Sequence, residues 1–257
     1  MPNPRGDFIW YELLTDDHAQ ARAFYDPVVG WDIEPAASNP MDYRMIRIPG
    51  GGHAGGVMQI NDEMRGHGAR PTWLGYIGVD DVDATVAQAK DAGGNVLMAA
   101  FDLPTVGRMA LLADPAGAPF YVMRGASDQT SDAFSANAIG HCAWNELLTS
   151  DLRMATDFYI PLFGWTLGHS MPMGPMGDYQ FILQGSQTIG AMFAPPDRRP
   201  AWRFCFRVEN LEQSIAAVRA GGGEILFGPT EVPGGGRIIQ ANDPDGVFFM
   251  VIEGGAQ

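Results

Sequence analysis

The sequence predicts an α+β protein of two tandem domains, each built from two β-α-β-β-β modules. Two observations carry this expectation. First, the chain repeats itself. With an offset of 134, Trp10, Glu12, Thr15, Phe24, Tyr25, Pro27, Gly30 and Trp31 fall on Trp144, Glu146, Thr149, Phe158, Tyr159, Pro161, Gly164 and Trp165. Farther on the offset is 129, where Trp73, Gly93, Arg108, Asp114, Pro115 and Phe120 fall on Trp202, Gly222, Arg237, Asp243, Pro244 and Phe249. The change in offset falls in a loop region, where length variation is tolerated. Second, each half contains the same order of elements twice, which gives four modules. The predicted division is a first domain over 1–124, a small polar linker "GASDQTSDAFSANA" over 125–138, and a second domain over 139–257.

Each element follows from local pattern. "FIWYELL" reads as a strand, and "DDHAQARAFYDPVVG" as a short helix with an acidic start and a glycine just past its end. "YRMIRI" and "HAGGVMQI" are strands joined through glycines. The intervening "PGGG" lacks the Lys-Ser/Thr and following helix of a phosphate loop, so it reads as a hairpin turn. After Pro71 the cycle restarts with strand "WLGYIGV", helix "VDATVAQAKDAGG" and strands near "NVLMAA", "RMALLAD" and "APFYVMR". Val82, Val86 and Ala89 supply that helix's core face.

Composition narrows the function. A net charge of −14 argues against a phosphate-neutralising surface, so no nucleic acid and no anionic membrane is expected as partner. No run approaches the ~18 apolar residues of a membrane span, and "MPNPRGD" does not read as a signal peptide. Cys142 and Cys205 lack CxxC spacing and fit a reduced, cytoplasmic protein. The expected partner is a small-molecule ligand, and the oligomeric state is left open.

The motifs "ARAFYDPVVGW" and "ATDFYIPLFGW", "DPAGAPF" and "DPDGVFF", and the strand-helix-AGG signatures of "GVDDVDATVAQAKDAGG" and "RVENLEQSIAAVRAGGG" carry a family resemblance. The chain resembles the vicinal oxygen chelate superfamily, which includes glyoxalase I, extradiol dioxygenases and bleomycin resistance proteins. Within it the chain looks most like tandem, two-domain glyoxalase-like proteins. The resemblance implies that paired modules curl into a cupped sheet whose concave face holds the site. It also implies, in enzymatic members, a divalent metal held by His, Gln or Glu from four strands.

Carried onto this chain, those ligand positions fall on Trp10, Leu74, Tyr121 and the Val57–Gln59 region in the first half. In the second half they fall on Trp144, Arg203, Met250 and 191–193. Only Gln59 is a plausible hard-metal ligand, and Arg203 would repel a dication. The histidines do not compensate: His18 is expected in solvent at a helix start, and no two have metal-site spacing. The expectation is therefore no cofactor, and a divalent metal, if bound, would first involve Glu12 or Glu146.

Strand alternation then reads the cups. Trp202, Phe204, Phe206 and Val208 face the helices, which places Arg203, Cys205 and Arg207 on the other face. The second cup is expected to hold Trp144, Glu146, Arg203 and Arg207; the first holds Trp10, Glu12, Leu74, Tyr76 and Tyr121, with no arginine on the matching strand. A buried carboxylate must be paired, hydrogen-bonded or protonated, and Arg203 is the first partner expected for Glu146. Glu12 and Glu146 are the candidate catalytic residues, and Trp10, Tyr76, Tyr121, Trp144, Arg203 and Arg207 the candidate ligand contacts. Each has a plain alternative: a glutamate that organises the sheet, a tryptophan that fills a cavity, an arginine in an internal ion pair. Three functions stay open: a metal-independent small-molecule binder with an aromatic cup, a metal-dependent lyase, isomerase or dioxygenase near Glu12 or Glu146, and a scaffold whose cups are filled core.

Overall fold

A computed structural model describes residues 3–36, 41–196 and 198–255. The first module is β1 (Phe8–Thr15), α1 (His18–Tyr25) running into a π-helical turn (Asp26–Gly30), β2 (Asp32–Ile33), β3 (Arg44–Arg47) and β4 (His53–Gln59). A short helix, α2 (Asp62–Gly66), leads into β5 (Thr72–Gly78), α3 (Val82–Asp91), β6 (Asn95–Leu103), β7 (Gly107–Ala113) and β8 (Pro119–Gly125). The third module is β9 (Cys142–Leu148), α4 (Leu152–Phe163), β10 (Thr166–Pro172), β11 (Asp178–Gln184) and β12 (Gln187–Phe193). The fourth is β13 (Ala201–Arg207), α5 (Leu211–Ala220), β14 (Glu224–Glu231), β15 (Gly236–Asn242) and β16 (Phe248–Gly254). These are the four β-α-β-β-β modules expected. The strands order as β2-β3-β4-β1-β5-β8-β7-β6 and β10-β11-β12-β9-β13-β16-β15-β14, one eight-stranded sheet per half.

In every module the first and last strands run parallel, β1 with β4, β5 with β8, β9 with β12 and β13 with β16. The helix between them supplies the crossover that parallel pairing requires. Each crossover helix begins at the same kind of cap. Asp17, Asp81, Asp151 and Asn210 sit in extended backbone, and their side chains accept backbone N–H groups of the first turn, worth about 1 kcal/mol apiece. The two-residue β2 is too short to leave a period in the sequence. His18 corrects an expectation: it is 1% exposed. It opens α1 on the inward stripe with Ala21, Phe24 and Tyr25, so its helical phase carries it into the core.

Packing does not follow the halves. The chain forms two compact units: unit one is Met1–Ile9, Gly75–Ser131 and Asn145–Arg203, and unit two is Trp10–Leu74, Asp132–Trp144 and Phe204–Gln257. Each unit therefore draws on both halves. In unit two, Trp73 Nε1 donates to the Tyr25 hydroxyl (3.1 Å), which donates to Asp243 (3.0 Å). Unit one repeats the chain of bonds: Trp202 Nε1 donates to the Tyr159 hydroxyl (3.0 Å), which donates to Asp114 (3.2 Å). Both phenols are fully buried, and burial pushes them well above the usual tyrosine range. Around them the rings pack edge to face. Trp31, Trp73 and Phe206 cluster in unit two, and Phe120, Tyr159, Trp165 and Trp202 in unit one.

The stretch with linker composition is tied down on one side. Residues 126–130 are exposed, but the Ser131 hydroxyl donates to the Ile9 carbonyl (2.6 Å) in unit one. In unit two Ala133 and Ala136 are buried.

Asp243 gives a pH expectation. Burial pushes its carboxyl up to about 6 from an ordinary 3.8. The native state then keeps its proton while the unfolded chain releases it, so this group's contribution is full below pH 4 and declines as pH rises toward 6. The expected loss is about 3 kcal/mol across that window. Denaturant melts between pH 4 and 6.5 should show it, and Asp243→Asn should flatten this component of the profile.

Candidate functional site

The best-defined constellation lies in unit one, on the β10-β11-β12-β9 wall. Ala191 pairs with Glu146, and Phe193 with Leu148, across β12 and β9. Phe181 pairs with Ala191, and Tyr179 with Phe193, across β11 and β12. Residues opposite one another in register share a face. One face of this wall therefore carries Glu146, Tyr179, Phe181 and Phe193. Tyr179 packs edge-on to Phe181 (5.6 Å) and Phe193 (5.4 Å), and His169 stacks on Phe181 at 4.1 Å. The three rings from β11 and β12 are partly exposed.

Glu146 is buried at 8% exposure. The Tyr179 hydroxyl donates to its Oε2 at 3.0 Å, and Arg203 Nη1 lies 3.9 Å from its Oε1. Burial raises the Glu146 carboxyl above the usual range, while Arg203 and the Tyr179 hydrogen bond pull it back down. Arg203 is itself lowered, mainly by burial, with Glu146 opposing and Arg198 adding to the shift. At 3.9 Å the ion pair is loose, so desolvation wins at the carboxyl. A carboxyl, a phenol and a guanidinium thus converge beside aromatic rings, a set able to hold carbonyl or phenolic oxygens on a flat ligand.

The other predicted residues fall in several places. Tyr76 and Tyr121, opposite one another in unit one, stack on each other at 4.2 Å and are buried. In unit two, Trp10 is half-buried and its Nε1 donates to the Tyr43 hydroxyl at 2.6 Å. Glu12 is buried at 4% exposure, opposite Gly56 in the register. A Cβ on Gly56 would fall 2.2 to 2.3 Å from the Tyr43 ring and hydroxyl, so glycine there gives the phenol its place. Trp144 is half-buried in unit two. Arg207, in the same unit, donates to the Ala136 and Gly254 carbonyls, which makes it a tie to backbone. Sequence reading missed Tyr43 and Tyr179. Their signal was a repeated Asp-Tyr, just before β3 in "MDYRMI" and at the start of β11 in "GDYQFI".

Residues 138–251 match the family profile described as the glyoxalase/bleomycin resistance protein/dioxygenase superfamily, and residues 11–123 match the profile of a glyoxalase-like domain. CFP32 of Mycobacterium bovis, a proposed glyoxylase, is 31% identical over 95% of this chain and 93% of its own. The chain belongs to the glyoxalase/bleomycin resistance protein/dioxygenase superfamily. The anthracycline biosynthesis protein DnrV of Streptomyces peucetius is 28% identical to this superfamily member, over 95% of this chain and 92% of its own. In fold it is similar to 2,2',3-trihydroxybiphenyl 1,2-dioxygenase of Sphingomonas wittichii, with a TM-score of 0.69, 16% identity and coverage of 98% and 91%. It is also similar to the Mn(II)-bound glyoxalase of Novosphingobium aromaticivorans, with a TM-score of 0.64, 16% identity and coverage of 98% and 83%.

The donors at this wall do not fit the divalent metal implied by the resemblance. The cation beside Glu146 is the Arg203 guanidinium, which would repel a dication, and its other neighbours on this face are the Tyr179 phenol and the Phe181 and Phe193 rings. Among the described residues no group of three or more His, Cys, Asp or Glu side chains could hold a metal ion, and no helix is long and apolar enough to cross a membrane.

Proposed function

We propose that this chain is a metal-independent binder of planar, oxygen-bearing aromatic small molecules, acting in the cytoplasm, with its site on the Glu146 wall. The observation that carries the reading is the Tyr179 hydroxyl and Arg203 guanidinium converging on buried Glu146 beside Phe181 and Phe193. The rings offer a stacking surface, and the three polar groups fix the orientation of a ligand's carbonyl or phenol. The names of the anthracycline biosynthesis relatives point to the same ligand class, fused aromatic rings bearing oxygens. A net charge of −14 disfavours nucleic acid and anionic membrane as partners.

The test is a fluorescence titration of chelator-treated protein with alizarin, a dihydroxyanthraquinone. Saturable binding unaffected by chelator is expected. Tyr179→Phe and Arg203→Met should each weaken it about tenfold, the value of one good polar contact. Absence of binding, or binding that needs added manganese or iron, contradicts the reading. Near-stoichiometric metal in freshly purified protein would instead favour a lyase, isomerase or dioxygenase at Glu146 or Glu12. The dioxygenase and glyoxalase folds among the structural neighbours support that second reading.

A further inference from the structure

We propose that unit two binds a small aliphatic carboxylate in a cavity between α1 and Pro35, held by the Arg22 and Arg44 guanidiniums. All the residues involved lie in unit two, and the proposal does not rest on the ligand reading of the Glu146 wall.

The outward stripe of α1 forms one side of the cavity. The helix buries His18, Ala21, Phe24 and Tyr25. Ala19, Arg22, Ala23 and Asp26 follow one another at i, i+3, i+4 and i+7, so they share a different face. Together with Pro27, Pro35 and Arg44 they line a cavity of about 200 Å³. Drug-sized ligands occupy pockets of ~300 Å³ and more, so this one suits a ligand of a few heavy atoms and not a fused ring system. Ala19 and Ala23 are both exposed, and core packing therefore does not dictate their small size.

Charge and lining select the ligand. Arg22 Nε is buried and has no hydrogen-bond acceptor among the described residues, and a buried donor of this kind calls for a partner. Asp26 Oδ2 lies 3.3 Å from it without bonding alignment, and the cation precedes the anion along the chain, the weaker order for an i,i+4 pair. Asp26 is also engaged elsewhere, since its Oδ1 accepts from the Ile33 N–H (2.9 Å). Burial raises the Asp26 carboxyl, with Ile33 and Arg22 opposing. Arg44 is held in place by its own ties: Nη1 donates to the Pro35 carbonyl (2.8 Å) and Nε to Asp42 (3.3 Å). In a chain with 30 Asp and Glu against 16 Lys and Arg, two guanidiniums on one small cavity favour an anion. Their forked N–H groups match the two oxygens of a carboxylate. Ala19, Ala23, Pro27 and Pro35 add apolar contact, which a short alkyl chain uses and inorganic phosphate does not.

The experiment titrates the isotopically labelled full chain with sodium butyrate at constant ionic strength and follows its arginine Nε–H resonances by NMR. The Arg22 resonance, assigned by its absence in Arg22→Gln, should shift and saturate in the low-millimolar range expected of so small a ligand. Arg22→Gln should weaken binding about tenfold, read from the backbone amides of residues 19 and 23. Ala23→Leu fills the cavity from an exposed helix position. It should abolish the butyrate shifts while leaving the melting temperature within about 2 °C of the wild type. Sodium phosphate should bind at least about tenfold more weakly than butyrate. A response that stays linear, phosphate bound as tightly as butyrate, or saturation unchanged in the two variants would overturn the proposal.

Discussion

Gly190→Ala is expected to destabilise the protein by more than about 4 kcal/mol, among the largest effects a single methyl group produces. Gly190 lies opposite Asn145 where β12 and β9 run parallel. A Cβ there would sit 1.9 Å from the Asn145 carbonyl oxygen and 2.8 Å from its carbonyl carbon. Both obstacles are backbone, so no side chain can turn aside and the strands must part. Parting them strains the bond from Asn145 Nδ2 to the Ile189 carbonyl (2.8 Å) and shifts the adjacent pairing of Ala191 with Glu146. Gly55 repeats the situation in the first half, where a Cβ would lie 1.8 Å from the Tyr11 carbonyl oxygen. Gly185→Ala is the control: it occupies the β11-β12 turn at φ 59 with open space around it, and about 1 kcal/mol is expected from backbone strain alone. Urea denaturation of the three variants separates steric exclusion from loss of glycine's freedom.

Tyr159→Phe should cost about 3 to 5 kcal/mol although it removes one oxygen. The hydroxyl serves two buried groups at once, accepting from Trp202 Nε1 and donating to Asp114. Its loss leaves an indole N–H without that acceptor and a buried carboxyl without that donor, each worth about 1 to 3 kcal/mol when unsatisfied. Burial already raises the Asp114 carboxyl. The variant should raise it further, since one hydrogen bond that lowers it is gone. Tyr25→Phe should behave the same way toward Trp73 and Asp243. Denaturant melts of both variants, compared with the wild type at one pH, give the measurement.

These two predictions show where the sequence was legible and where it was not. Tyr25 and Tyr159, Trp73 and Trp202, and Asp114 and Asp243 were all visible as repeat pairs. Self-alignment sets each residue against its own equivalent, whereas the fold joins residues that are not equivalents and often lie in opposite halves. The repeat therefore displayed the parts of the bonded chains while hiding their partners. The modules themselves were legible because period, caps and glycines are local signals. His18 was misjudged because a helix start looks solvent-facing until its phase is counted. Glu146 and Arg203 were readable from alternation on two strands. Tyr179 was not, since nothing in β11 alone shows that its hydroxyl reaches a carboxylate on β9. Trp10 stood out by residue type, but its bond to Tyr43 depends on the bare Gly56 backbone opposite Glu12.

The central claim is that a flat, oxygen-bearing ligand sits on the Glu146 wall without a metal. A crystal structure of chelator-treated protein grown with alizarin tests this most directly. The expected result is ring density against Phe181 and Phe193, with a ligand oxygen within hydrogen-bonding distance of Tyr179 or Arg203. Alizarin seated elsewhere, or a metal ion coordinated by Glu146, would contradict it.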